Sequence, residues 1–241
     1  MNLIVEIGNT ALKAAWAEEM TLGKTFRYQG ERKMEFITGL IEKEKPGVMV
    51  IASVYELSAQ DQHLLETLCH QLVILDPAHP LTASRYGFPA YLSYDRAAAL
   101  LAASHLFRGK ACTVVDLGTT LTVDYLDAEG RYEGGNISLG CRTRFKALNR
   151  YSRSLPLLDT PAEILPLGDS LQSSIESGII SGIIFEIQSY IDRKPDNVVI
   201  FTGGDAIYFV KKMKNSIFVV CNLVLIGLAL ITDGYVREKD S

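Results

Sequence analysis

One short pattern occurs twice in this chain and limits its fold more than composition does. Glu6-Ile7-Gly8-Asn9-Thr10 and Asp116-Leu117-Gly118-Thr119-Thr120 both read acid, apolar, Gly, polar, Thr, and each directly follows an apolar run suited to a buried strand. The two acids stand 110 positions apart in 241 residues. Self-similarity at that period implies two homologous halves, each opening with the same strand, turn, strand unit. The boundary falls near Gly109-Lys110, which gives an N-terminal half at 1–110 and a C-terminal half at 111–241.

Periodicity and breakers fill in the halves. The first predicts strands at 3–7, 11–17 and 25–28 with turns at Gly8-Asn9-Thr10 and near Gly23, then a helix at 34–44. Pro46-Gly47 leads into a strand at 48–54, Ser58 starts a helix to 71, and a strand at 72–75 and a helix at 94–107 follow. From Ala111 the order begins again, with strands at 113–117 and 121–126, a turn at 127–130 and a third strand from Tyr132. Helices at 142–151 and 171–191 flank a Pro-containing loop. A strand at 197–201 meets Thr202-Gly203-Gly204, followed by a helix to Lys214, a strand at 217–220 and a helix at 223–231.

Composition narrows the partners. With 48% apolar and 22% charged residues the chain can bury a real core, and its net charge of -4 supplies no overall basic field for nucleic acid or an anionic membrane. Cys69, Cys112, Cys141 and Cys221 form no C-x-x-C pair, and His63, His70, His79 and His105 no H-x-x-x-H, so buried reduced thiols and a cytoplasmic setting are expected. No basic, apolar leader opens the chain. The apolar run at 217–231 is short and is interrupted by Asn222 and Gly227, so it reads as strand plus helix rather than a membrane span.

A strand, acid, Gly, hydroxyl turn suits phosphate. Glycine permits close backbone approach, exposed N–H groups and Thr hydroxyls donate to phosphate oxygens, and the acid can hold a cation. Either copy alone is also an ordinary hairpin turn; two matched copies are what actin, sugar kinases and heat-shock chaperone ATPases have in common. No G-x-x-x-x-G-K-[ST] and no strand-linked G-x-G-x-x-G is present, so neither a P-loop nor a dinucleotide fold is supported. Thr202-Gly203-Gly204 offers backbone against which a flat base can lie, or a plain strand-to-helix turn. Asp95 can be explained as a first-turn acid of a helix started by Ser93. Arg142, Arg144, Lys146, Arg150 and Arg153 form a basic cluster of the kind that binds phosphates or RNA, but on an acidic protein they read rather as a solvated helix face or a subunit contact, and Trp16 as packing.

Taken in order, these motifs resemble the type III pantothenate kinase family over nearly the whole chain. EIGNTALK (6–13) resembles its ATP loop, Asp95-Arg96 the end of its G-x-D-R motif, and DLGTTLTVD (116–124) its D-x-G-T-A-x-T segment. Gly134-Gly135-Asn136-Ile137-Ser138-Leu139-Gly140 resembles its G-G-x-I-x-P-G, and Thr202-Gly203-Gly204 its adenine-side turn. The resemblance implies an α/β fold of two ribonuclease-H-like, actin-like ATPase domains with a nucleotide cleft between them, and ATP-dependent phosphorylation of pantothenate to 4'-phosphopantothenate, the first step of coenzyme A biosynthesis. It implies ATP with Mg2+ and a monovalent cation, K+ or NH4+, and a cytoplasmic homodimer.

Residue by residue, the resemblance implies that Glu6, Ile7, Gly8, Asn9, Thr10, Ala11, Leu12 and Lys13 bind ATP, with Thr119, Gly203 and Gly204. Asp95 is implied as general base on the pantothenate hydroxyl, Tyr86, Ser93, Tyr94, Arg96 and Leu171 as the rest of the pantothenate site, and Asp116 as the cation ligand. The chain departs from the family at four positions: Glu6 stands for Asp, Ser93 for Gly, Leu139 for Pro, and Leu171 for a Thr seven residues before Gly178. One added methylene at Glu6 moves its carboxylate by roughly 1 Å, enough to matter for in-line phosphoryl transfer. Another sugar-type kinase of the superfamily and a catalytically silent ligand-binding paralogue stay open as alternatives.

Overall fold

The structure is a computed structural model that describes residues 1–42, 44–76 and 86–239; His79 lies outside them. By their internal packing the residues form two compact units, Met1–His105 with Asn222–Ser241, and Leu106–Cys221. The closing segment, read from sequence as part of the second half, therefore belongs to the first unit.

The first unit holds β1 (Asn2–Ile7), β2 (Leu12–Glu18), β3 (Thr21–Tyr28), α1 (Lys33–Ile41), β4 (Val48–Ser53), α2 (Ala59–Thr67), β5 (Gln71–Leu75), α3 (Tyr94–Leu106) and the returning α7 (Leu223–Lys239). The strands form one sheet in the order β3-β2-β1-β4-β5, with β1 antiparallel to β2 and parallel to β4. Side chains alternate across a strand, so Leu3, Val5 and Ile7 enter a core with Ile37 of α1 and Leu65 of α2, while Glu6 emerges on the other face. Helix α7 packs on β1, β3 and β4.

The second unit holds β6 (Cys112–Leu117), β7 (Thr120–Leu126), β8 (Tyr132–Leu139), α4 (Cys141–Tyr151), α5 (Leu171–Arg193), β9 (Val198–Thr202), α6 (Ala206–Val210) and β10 (Ile217–Val219). Its sheet runs β10-β9-β6-β7-β8, the same order and strand sense as the first. Val115, Leu117, Leu121 and Val123 face Phe145 of α4, Phe209 of α6 and an isoleucine stripe on α5. Asp116, between Val115 and Leu117, emerges on the opposite face, as Glu6 does in its own sheet.

Several sequence expectations are corrected. Gly23 makes no turn: it lies within β3, the chain reverses at Glu19-Met20, and Glu19 takes the left-handed conformation at φ 53°. Helix α2 stops at Thr67, short of Gln71, because the Gln71 N–H donates to the Gly47 carbonyl and opens the parallel ladder to β4. Beyond Val210 the α6 segment tightens into turns, with Lys212 donating to Phe209. Helix α7 runs to Lys239, past the expected end at 231. Cys69, Cys112 and Cys141 are buried, but Cys221 is exposed.

Candidate active site

In the first unit the β1–β2 hairpin presents the 6–13 segment. Gly8 N–H donates to the Ala11 carbonyl at 3.0 Å, and a side chain at Gly8 would sit 3.2 Å from that oxygen, so the turn is closed tightly around its glycine. Asn9 and Thr10 are exposed at its tip, while Ile7 and Leu12 are buried at its base. Glu6 is paired in register with Lys13 across the hairpin. Lys13 Nζ forms an ion pair with Glu6 Oε2 at 3.2 Å, and among the described residues no further donor reaches this buried oxygen. Burial pushes the Glu6 pKa upward, Lys13 opposes the rise, and the Asp95 carboxylate adds to it. The structure therefore brings Glu6, Lys13 and Asp95 into one electrostatic neighbourhood.

Asp95 sits in the first turn of α3, half-buried, and its Oδ1 accepts the Arg96 backbone N–H at 2.9 Å. Arg96 is buried at 7% exposure, an unusual depth for a guanidinium, which commits it to polar company. Ser93 is exposed and Tyr94 half-buried. The Tyr86 hydroxyl is buried, and a side chain placed at Gly234 of α7 would come within 3.3 Å of it.

In the second unit, Asp116 and the 118–120 turn sit at the β6–β7 connection. A Cβ at Gly203 would overlap both Asp116 Oδ1 and the Leu117 carbonyl, and Gly203 has φ +91°. Only glycine satisfies both conditions. Gly204 has open space around it, and the Asp205 N–H donates to the Leu117 carbonyl at 3.0 Å, which ties the Thr202-Gly203-Gly204 turn to the end of β6. Thr119 is exposed. Leu171, the first residue of α5, is 57% exposed and belongs to this second unit, whereas Tyr86, Ser93, Tyr94, Asp95 and Arg96 belong to the first.

Two features escaped the motif reading. Lys13 as the partner of Glu6 was countable, since residues 6 and 13 lie symmetrically about the Asn9-Thr10 tip. The bracket around Gly140 was not. Gly140 N–H and Thr143 Oγ1 both donate to the Thr119 carbonyl, and Arg144 reaches from α4 to Ser138, Leu139 and Glu186. Arg142 pairs with Asp159 at 3.6 Å, so this end of the basic run is matched by acids. Among the described residues, no three His, Cys, Asp or Glu side chains group as a metal cage, and no helix is long and apolar enough to cross a membrane.

Two sheets of identical order, each carrying an acid-Gly turn at the end of its central strand, define the actin-like ATPase and sugar-kinase fold class. Solved structures bear this out for the fold: a conserved Baf family protein from Campylobacter jejuni aligns with TM-score 0.65 at 19% identity, covering 98% of this chain and 99% of that one. The activator of the 2-hydroxyisocaproyl-CoA dehydratase from Clostridium difficile, solved with bound ADPNP, aligns with TM-score 0.58 at 14% identity, over 99% of this chain and 96% of that one. The sequence pattern defining type III pantothenate kinase matches residues 2–193. A type III pantothenate kinase of Phocaeicola vulgatus is 38% identical over 95% of this chain and 96% of its own length. The chain belongs to the type III pantothenate kinase family.

Proposed function

We propose that this protein transfers the γ-phosphoryl group of ATP to the hydroxyl of pantothenate, the entry step of coenzyme A biosynthesis. Family membership over nearly the whole chain is the observation that carries this reading. In it, the 6–13 hairpin, Thr119, Gly203 and Gly204 receive ATP, and Tyr86, Ser93, Tyr94, Arg96 and Leu171 receive pantothenate. Asp95 orients the attacking hydroxyl and accepts its proton; phosphoryl transfer through a loose transition state asks mainly for such orientation. Lys13 balances the Glu6 charge and offers a cation to phosphate oxygens.

Magnesium is typically held by one or two carboxylates together with substrate phosphates rather than by an all-protein cage. Glu6, whose buried oxygen meets no donor beyond Lys13 among the described residues, and Asp95 beside it fit that pattern; bound there, the ion offsets phosphate charge. Asp116 Oδ1 and the Leu117 carbonyl, both against Gly203, are hard oxygen donors that suit a monovalent cation such as K+ or NH4+. A homodimer is carried over from the family resemblance, and the buried thiols agree with a cytoplasmic setting.

The test is a coupled ADP-release assay with magnesium, across pantothenate, glucose and N-acetylglucosamine, in potassium and in sodium. Turnover is expected with pantothenate alone and to fall in sodium. Equal rates with the sugars would overturn the acceptor assignment, and sodium-independent rates the cation assignment.

A further inference from the structure

The Gly118-Thr119 turn is not free-standing. The Thr119 carbonyl receives two donors from the start of α4, the Gly140 N–H at 3.1 Å and the Thr143 hydroxyl at 2.7 Å. A Cβ at Gly140 would overlap the Gly118 carbonyl, so the turn lies directly against this helix start. A trans peptide holds its N–H opposite its C=O, so anchoring that carbonyl on α4 also fixes the direction of the Thr120 N–H.

The helix start is itself anchored. Arg144 Nε donates to the Leu139 carbonyl at 2.8 Å, and its Nη2 donates to Ser138 Oγ at 3.3 Å and to Glu186 on α5. Ser138 Oγ donates to the other Glu186 oxygen at 2.7 Å. Both charged side chains are largely buried, at 22% and 23% exposure, and the planar guanidinium fork sets orientation as well as charge. Leu139 stands where the family motif carries proline. Arg144 thus grips the backbone at the point where a proline ring would have stiffened it.

We propose that Thr143, with Arg144 braced on Glu186, is a positioning residue that holds the Gly118-Thr119 turn in the shape that accepts nucleotide phosphates. This rests on the reading of that turn as a phosphate site. A purely architectural tie would treat all ligands alike, whereas a phosphate-positioning tie acts only on nucleotides that carry the phosphate chain.

The experiment is calorimetric titration of wild type, Thr143→Val and Thr143→Ser with adenosine and with the non-hydrolysable analogue AMPPNP plus magnesium. Thr143→Val keeps the shape and removes the donor, so AMPPNP should bind about five- to tenfold more weakly, as expected for one lost hydrogen bond. Adenosine affinity should be unchanged, and Thr143→Ser should restore AMPPNP binding. Should Thr143→Val fail to fold, Arg144→Met carries the same comparison. Equal losses for adenosine and AMPPNP, or no loss for either, would overturn the proposal. A wild-type protein that binds AMPPNP no better than adenosine would take down the phosphate reading of the turn, and this inference with it.

Discussion

Asp95 carries two proposed roles, one structural and one chemical, and one substitution separates them. As the group that orients the hydroxyl it acts in the transition state, so Asp95→Asn should lower kcat by about 10²-fold, as for lost acid-base catalysis, with nucleotide affinity little changed. As a first-turn acid alone, its replacement would cost about 1 kcal/mol or less and leave turnover intact. The paired measurement is kcat beside the thermal midpoint. A lowered midpoint with normal kcat would leave Asp95 as a helix-start residue.

Glu6 makes a prediction of opposite sign for stability and for activity. Its folded pKa lies above the ordinary 4.5 because burial penalises the carboxylate. The folded state therefore keeps a proton that the unfolded state releases. The associated stability is complete below pH 4.5 and is lost as pH rises through the folded value. Glu6→Gln removes that loss, so its midpoint should exceed that of wild type at neutral pH, the gap closing toward pH 4.5. The same variant should use magnesium-ATP poorly. A gap that widens on acidification would mean that Lys13, not burial, governs this carboxylate. The acid itself was legible because its motif repeats at Asp116; the depth of its burial was not, since it depends on the packing around β1.

At the scale of elements, strands and helices were legible wherever period and breakers agreed, and misplaced where a glycine spoke ambiguously. Gly23 reads as a turn but is a strand residue opposite a register shift between Ala15 and Ala17 of β2, a role that only pairing reveals. Two helical glycines make the same point energetically. A methyl group at Gly39 in α1 would meet nothing within 4 Å, so Gly39→Ala should stabilise by about 0.5–1 kcal/mol through helix propensity. Gly227 in α7 lies so close to α3 that a Cβ would overlap the Ala98 carbonyl. Overpacking of that kind costs about 1–3 kcal/mol and outweighs the propensity gain, so Gly227→Ala should destabilise. Urea midpoints of the two variants check both signs, and a stabilised Gly227→Ala protein would show that α7 can shift away from α3 at no cost.

For the whole molecule, the repeat gave the duplication of the sheets, because it is written in consecutive motifs. It could not give the return of α7, because nothing local in residues 223–239 says which sheet they cover. That return makes the C-terminal segment part of the first unit's stability. Leu223, Val224, Leu225, Leu228 and Ile231 are all buried, and at roughly 1.5–3 kcal/mol each their burial supplies about 10 kcal/mol. That equals the entire net stability of an ordinary domain, about 5–15 kcal/mol. Truncation after Cys221 should therefore unfold the first unit while sparing the second, where Val115, Leu117, Leu121 and Val123 pack against α4, α5 and α6 of the same unit. Hydrogen exchange read by mass spectrometry separates the two outcomes. Amides of β1 and β4 should lose protection by several orders of magnitude, while those of β6, β7 and α5 keep it. Wild-type protection of β1 and β4 in the truncated protein would show that α7 covers the sheet without holding it together.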